Sequence, residues 1–234
     1  MPLRTLLFFL FLALSNHSTA EPALSGRLIL SHVDHPFVTL TLNPLLQASY
    51  LEMGYQLEFI PADGARAITL FQQQLVDGDT GRSSIWLDQH SEALPALKLD
   101  QLQFLLYCRQ GIPCQQEVLQ DPNVHIVIPA QKTTYQFFQI DIRAKPYFVS
   151  GFTIAQNMLL SGRADYLLWV EGRLLPSIDQ TEISRAESGL QPFDIYHMLQ
   201  EQHRALLLEL EPVLTRKIEA LSAVKSEAMI VPEK

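Results

Sequence analysis

Apolar positions along the chain alternate between the periodicity of strands and that of helices. Short β-branched or apolar runs predict strands at 27–33, at 56–62 ("QLEFIPA") and within 94–110. Helical periodicity predicts helices at 43–55 and in "ARAITLFQQQLVDG" (65–78). The first of these helices has an N-cap asparagine, a proline at its first position and a glycine as its stop. Strands that alternate with helices favour parallel sheets covered by helices, which is an α/β architecture.

The second half of the chain repeats this alternation. Strands are predicted at 124–130, 144–151 and 164–172, with one helix that begins near Thr133 or Thr134 and another at 153–160. The last fifth, 194–228, is continuously helical in pattern, and Pro212 either kinks one helix or starts a second.

Two similar helix-to-strand returns stand about ninety positions apart. "LVDGDTGR" (75–82) and "LLSGRADYLLW" (159–169) each place a glycine after a helix and an acid near the start of the next strand. One such unit in each half predicts two α/β lobes built alike. Ligands of open α/β sheets bind outside the carboxyl ends of the strands, so two facing lobes would enclose a cleft.

The N-terminal segment predicts export. Residues 1–20 carry one arginine, then an unbroken apolar run from Leu6 to Leu14, then small and polar residues that end at Ala20. This pattern is typical of a secretory signal peptide cleaved after Ala20, and the apolar run is too short for a bilayer span of about 20 residues. We therefore expect a periplasmic protein.

Charge and cysteines narrow the possible functions further. A formal net charge of -8 disfavours nucleic acid as a partner, and we expect a monomer. The two cysteines, Cys108 and Cys114, predict a disulfide in an oxidising compartment. The sequence contains no nucleotide-binding glycine motif, nucleophile elbow or zinc-protease motif, so we expect neither a cofactor nor catalysis. Catalytic triads assemble in space, so an enzyme on a similar scaffold, for example one acting on cell-wall fragments, stays open as the alternative.

The order of these segments resembles a known family. The first strand, "LEFIP", "GARAITLFQQQLVDGDTGR", "GRADYLLW" and the closing "YHMLQEQHRALLLELEPVL" are similar to family 3 bacterial extracellular solute-binding proteins, the periplasmic amino-acid-binding type. The resemblance implies a two-lobed type II periplasmic binding protein with a central ligand cleft. Lobe 1 would comprise 21–106 and 190–234, and lobe 2 would comprise 107–189.

The same resemblance implies a function. The lobes would close around a small polar solute, either an amino acid or a related small carboxylate or amine. The partner would be an ABC transporter permease that takes up the solute. Alternatively, the chain would present its ligand-bound state to a membrane sensor.

The resemblance also implies ligand contacts in both lobes. Arg82 would clamp a ligand carboxylate, and Asp165 would accept hydrogen bonds from its ammonium. Replacing Arg82 with alanine would then weaken binding and leave folding nearly intact. Thr133, Thr134 and Tyr135 would open the first helix of lobe 2 and offer donors to the carboxylate. The alternatives are a surface arginine and an ordinary helix N-cap.

Three further positions are candidates on their own chemistry. Arg66 begins a helix, where the dipole disfavours a cation, which suggests that it points into the cleft; a solvated arginine is the alternative. In "SHVDHPF" (31–37), Asp34 and Phe37 follow the first strand as a polar contact and an aromatic wall, and Tyr107 is a further wall candidate. His32 and His35 lack a third credible ligand beside them, so we expect no metal.

Overall fold

The computed structural model describes residues 26–62, 64–89, 96–130, 132, 135, 140–175, 178 and 181–228. The predicted signal peptide and the candidate ligand residues Thr133 and Thr134 lie outside the described residues. The strands are β1 (Gly26–His32), β2 (Tyr55–Pro61), β3 (Gly78–Ser83), β4 (Ala96–Arg109), β5 (His125–Ile128), β6 (Lys145–Phe148), β7 (Tyr166–Glu171), β8 (Ile183–Arg185) and β9 (Phe193–Leu199).

Helices cover this sheet. They are α1 (Asn43–Glu52), α2 (Gly64–Gln72), α3 (Ser84–Gln89), α4 (Phe152–Leu160) and α5 (Arg204–Ala228). A π-helical turn at Val38–Leu42 leads into α1, and short 3-10 turns occupy Gln116–Gln120 and Glu201–His203. None of the described helices is both long enough and apolar enough to cross a membrane.

The two lobes are joined through β4. The strand order is β2-β1-β3-β9-β4-β7-β5-β6, and β8 also pairs with β4. The first half of β4, Ala96–Leu102, pairs with β9, whereas Gln103–Cys108 pairs with β7. The chain therefore passes from the first lobe to the second at Leu102 and Gln103, and it returns between β8 and β9. Within each lobe, three strands run parallel: β2-β1-β3 in the first and β6-β5-β7 in the second.

The helix predicted from residue 194 onward is wrong in its first part. Residues Phe193–Leu199 form β9, and the long helix begins only at Arg204. Phe193, Ile195 and His197 alternate into the core, which is the period of a strand, and the apolar Met198 and Leu199 beside them obscure that period. Pro212 lies inside α5, which runs from Arg204 to Ala228 as one helix. The proline therefore does not start a second helix.

Two hydrophobic clusters hold the lobes. The larger runs from α1 and β1 through the crossing strands to β5 and includes Leu46, Phe104 and Ile128. The smaller packs the opposite face of the second lobe against α4, with Tyr107 and Trp169 at its centre. The ligand candidate Tyr107 therefore lies on the α4 face of β4.

The predicted disulfide is confirmed. Cys108, at the buried end of β4, is bonded to Cys114, and the bridge closes a loop with a sequence separation of 6 residues. Among the described residues, no group of three or more His, Cys, Asp or Glu side chains is placed to hold a metal ion.

Reduction of the disulfide is expected to lower the free energy of unfolding by about 2 kcal/mol, because a short closed loop restricts the unfolded chain only modestly. Urea denaturation with and without dithiothreitol measures this difference. The double variant Cys108→Ala/Cys114→Ala is the control and should not respond to the reductant. Equal stability of oxidised and reduced wild-type protein would contradict the expectation.

Candidate functional site

A cavity of about 100 Å3 lies where the two lobes meet. It sits beyond the carboxyl ends of β1 and β5 and beside the end of β3, which is the ligand-binding edge of an open α/β sheet. Most of its wall is aliphatic or aromatic. The first lobe contributes Val33, His35, Phe37, Val38, Leu42, Gly81, Arg82, Ser83, Trp86, Leu102, Phe193 and Ile195, and the second contributes Phe104, Ile128, Pro129, Ala130, Tyr135, Leu168 and Val170.

Arg82 is the one cation among the described lining residues. It stands near the end of β3 and is only 5% exposed. One terminal nitrogen, Nη2, donates to Asp79 Oδ2 at 2.7 Å and to the carbonyl of Ala62 at 3.2 Å, and the guanidinium lies 5.6 Å from the centre of the Trp86 ring. Its Nε is buried and has no hydrogen-bond partner. The guanidinium is therefore fixed on one side and retains an unused donor.

Asp79 is the ion-pair partner of Arg82. Its carboxylate also accepts hydrogen bonds from the Ser31 hydroxyl at 2.6 Å and from the backbone N–H of Gly81 at 3.0 Å. The pairing of β3 with β9 shifts register between Asp79 and Arg82, and such an irregularity redirects side chains at the end of a strand. A side chain at Gly81 would meet Leu42 at 2.9 Å, so this glycine allows the π-helical turn to approach β3.

A buried histidine supports Asp79 from the core. His197 Nδ1 lies 2.8 Å from the backbone oxygen of Asp79, and its Nε2 lies 2.8 Å from the Tyr50 hydroxyl. Burial lowers the pKa of His197 to about 4, and it raises the pKa of Tyr50. The neutral ring therefore donates through Nδ1 to Asp79 and accepts the Tyr50 hydroxyl at Nε2. This network couples α1 and β9 to the segment that carries Arg82.

Tyr135 provides the polar group of the opposite wall. The residue is 8% exposed, and its ring packs 5.4 Å from the ring of Phe148 on β6. Its hydroxyl is buried without a hydrogen-bond partner, and burial raises the pKa of Tyr135 to about 12. The side chain is therefore neutral and presents a free donor from the second lobe.

His35 spans the two lobes. It leaves β1 in the first lobe, but its Nε2 lies 3.4 Å from the carbonyl of Pro129 and its ring lies 5.6 Å from the ring of Phe152, both in the second lobe. Its Nδ1 accepts the backbone N–H of Phe37 at 3.2 Å. Burial lowers the pKa of His35, and this effect is partly offset by the Pro129 carbonyl and the charge of Asp34. The neutral ring thus ties the lobes together at the mouth of the cavity.

The structure brings three of the sequence-derived candidates together. Phe37, Arg82 and Tyr135 all line the cavity, although ligand binding by them stays a prediction. Asp34 and Arg66 are exposed and do not line it. Arg66 therefore lies in the solvated position that was its alternative.

Asp165 and Tyr107 lie away from the cavity. Asp165 precedes β7, at the amino ends of the second-lobe strands, and it forms an exposed ion pair of 2.7 Å with Arg109. The cavity is at the carboxyl ends, so the structure does not bring Asp165 near Arg82. Tyr107 is fully buried, and its hydroxyl contacts Glu171. Alternate residues of β4 face opposite sides of the sheet, and Tyr107 faces the α4 side. Trp169 belongs to the same face.

The sequence did not single out most of the apolar wall. Trp86, Phe104 and Phe193 come from separate strands and a short helix, and Phe104 stacks on Phe193 at 5.6 Å where the chain crosses between lobes. These residues look like ordinary core positions in the sequence. Only the helix and strand periods would have placed them, and the period of β9 was misread.

The chain matches no protein-family model and no curated protein sequence, whereas solved structures resemble it in fold. The amino acid ABC transporter substrate-binding protein AbpA from Streptococcus pneumoniae, bound to L-arginine, has a TM-score of 0.59 and 13% identity, covering 88% of this chain and 97% of that one. The arginine-bound form of truncated ArgBP from T. maritima has a TM-score of 0.54 and 15% identity, covering 82% and 96%.

A regulatory domain resembles the chain in the same way. The regulatory domain of MetR, a LysR family regulator from N. meningitidis, has a TM-score of 0.62 and 12% identity, covering 83% of this chain and 94% of that one. The chain therefore has the two-lobed fold of type II periplasmic binding proteins, as the family resemblance of its sequence implied.

Proposed function

We propose that this chain is an exported solute-binding protein that holds a small molecule in the cavity between its lobes. The observation that carries the proposal is the unused Nε donor of Arg82, a residue that lines an apolar cavity bounded by both lobes. A buried donor without a partner costs about 1 to 3 kcal/mol, and more when it is charged. A ligand oxygen placed against Arg82 would remove that cost, and a ligand that contacts both lobes would stabilise their closed arrangement.

The comparisons support ligand binding and leave the partner open. AbpA and ArgBP both hold arginine in these structures, which favours a solute-binding role for this chain. The MetR domain uses the same fold in a regulator, and a fold does not determine function by itself. The proposal of ligand binding therefore rests on the cavity. We also propose that the ligand-bound protein is recognised either by an ABC transporter permease or by a membrane sensor.

The described lining does not favour catalysis. Ser83 accepts the backbone N–H of Trp86 through its hydroxyl oxygen at 3.3 Å, and both ring nitrogens of His35 are engaged by Phe37 and Pro129. An activated nucleophile needs a base within hydrogen-bond reach, and neither residue serves the other in this way. Binding without turnover is accordingly the function proposed.

Periplasmic location is supported by residues 1–20, whose charged start, apolar run and small-residue end are typical of a signal peptide. Expression of the full chain in a Gram-negative host, followed by osmotic shock and mass spectrometry, should give a periplasmic protein that begins at Glu21. Recovery of the chain only from the cytoplasm, with Met1 retained, would contradict this part of the proposal.

Ligand binding is tested by thermal shift against a library of amino acids, small carboxylates, amines and short peptides. A ligand at 100 times its dissociation constant should add about 2.7 kcal/mol to the free energy of unfolding. Val170→Phe fills the cavity and should abolish the shift. Val124→Phe makes the same change at the far end of the second lobe and should leave the shift intact. Equal loss of binding in both variants, or retention in both, would contradict binding in this cavity.

The His35 contact predicts how the ligand-free protein moves. Removing it with His35→Ala should favour open lobes by about 1 kcal/mol, because one hydrogen bond across the lobes is lost. Lower pH should act in the same direction, because burial disfavours the protonated ring and opening exposes it. Small-angle scattering should show a larger radius of gyration in both cases. Asp34→Asn changes the exposed neighbour of His35 and is the control at pH 8. An unchanged radius of gyration in His35→Ala would show that the contact between His35 and Pro129 does not hold the lobes together.

A further inference from the structure

We infer that the cavity is shaped for a small apolar monocarboxylic acid that lacks an ammonium group. This inference deepens the proposed function and rests on it. It narrows the amino acid, small carboxylate or amine that the family resemblance implies to one class, and it follows from the polar groups of the residues that line the cavity.

Two lining residues on opposite lobes each carry a buried donor. Arg82 Nε comes from the first lobe and the Tyr135 hydroxyl from the second, and both are buried without a hydrogen-bond partner. The charge of Asp79 is already shared among Arg82, Ser31 and the N–H of Gly81, so the arginine is not its sole partner. A carboxylate has two acceptor oxygens, one for each of these donors, and guanidinium groups bind carboxylates especially well.

An ammonium group has no carboxylate counterpart among the described lining residues. None of the described lining residues carries a carboxylate. The Asp79 carboxylate lies behind the guanidinium, and Asp165, the acid expected to hold an ammonium, is paired with Arg109 at the other end of the sheet. A cation moved from water into this apolar wall without a partner is strongly disfavoured. The α-amino group of an amino acid would therefore weaken binding.

The volume limits the body of the ligand. The cavity of about 100 Å3 is smaller than the roughly 300–1,000 Å3 of common small-molecule pockets. With aromatic and aliphatic walls from Trp86, Phe104 and Leu168, this size suits a short branched or monocyclic acid.

The test uses ligand pairs that differ only by the α-amino group. Isothermal titration of the wild-type protein compares 4-methylpentanoate with L-leucine, and phenylacetate with L-phenylglycine. We expect each acid to bind at least about tenfold more tightly than its amino acid, which corresponds to about 1.4 kcal/mol. The amide 4-methylpentanamide keeps the shape and removes the charge, and it should also bind more weakly than the acid.

Tyr135→Phe tests the position of the head group. This substitution removes only a hydroxyl that has no partner in the protein, so folding should be preserved while affinity for the acid falls about five- to tenfold. Amino acids that bind as tightly as the acids, an amide equal to the acid, or an unaltered affinity in Tyr135→Phe would each overturn the ligand class. The proposed function would survive those results, and it fails separately if no compound of the broader library binds in the cavity.

Discussion

Replacement of Arg82 with methionine is expected to lower the free energy of unfolding by about 3 to 5 kcal/mol. Arg82 and Asp79 are 5% and 2% exposed, so removing the guanidinium leaves a buried carboxylate without its cationic partner. The sequence alone suggested that loss of Arg82 would weaken binding and leave folding nearly intact. The ion pair within the core changes that expectation, because the same guanidinium serves the fold and the cavity.

Urea denaturation at pH 7, followed by circular dichroism, measures this effect. The double variant Asp79→Asn/Arg82→Met is the matched control, because asparagine removes the charge, keeps one acceptor oxygen for the Gly81 N–H and offers its NH2 group as a donor to the Ser31 hydroxyl oxygen. The double variant should be more stable than Arg82→Met by about 2 kcal/mol or more, since neighbouring members of one ion pair are not additive. Strict additivity of the two single changes would show that the pair is not coupled.

This double role of Arg82 also decides how binding is assayed. A loss of affinity in Arg82→Met would mix unfolding with the loss of a ligand contact. Tyr135→Phe and Val170→Phe act on the cavity without touching the ion pair, so they report on binding alone.

Local periodicity was enough to predict most of the architecture. Strands such as β1 and β5 carry short apolar runs, LIL in β1 and IVI in β5, and glycine and proline mark the ends of α1, so their type and order follow from nearby residues. β9 could not be read this way, because the apolar Met198 and Leu199 obscure its alternation shortly before the helical pattern of α5 begins. Its place between β3 and β4 depends on pairing with distant strands, which a single sequence does not display.

The site was only partly predictable, for a geometric reason. Arg82 stands near the end of its strand and Asp165 stands before its strand, so these two residues lie at opposite edges of their sheets. That distinction follows from strand direction and could have been drawn from the sequence. Most of the apolar wall could not, because Trp86, Phe104 and Phe193 come together only through the crossing of β4 between the lobes.

Acidification from pH 7 to pH 4 is expected to lower the free energy of unfolding by about 3 kcal/mol through His197 alone. Burial lowers the pKa of His197 to about 4, whereas an unfolded histidine has its ordinary value of about 6.5. Below about pH 6.5 the unfolded chain therefore takes up a proton that the folded protein does not. Stability is fully present above that pH and is lost progressively until the pH reaches the folded value, with about 1.4 kcal/mol for each pKa unit of difference.

His197→Gln isolates this contribution, because the variant keeps a polar side chain and loses the titrating ring. Its free energy of unfolding should fall less steeply between pH 7 and pH 4, so that the gap to the wild type narrows by about 3 kcal/mol. His35, whose pKa is also lowered by burial, stays in both proteins and cancels in the comparison. NMR titration of the folded wild type adds a direct check, since the ring of His197 should stay neutral through pH 5. A ring that titrates near pH 6.5, or parallel pH profiles for the two proteins, would mean that the Tyr50–His197–Asp79 network does not hold the neutral imidazole.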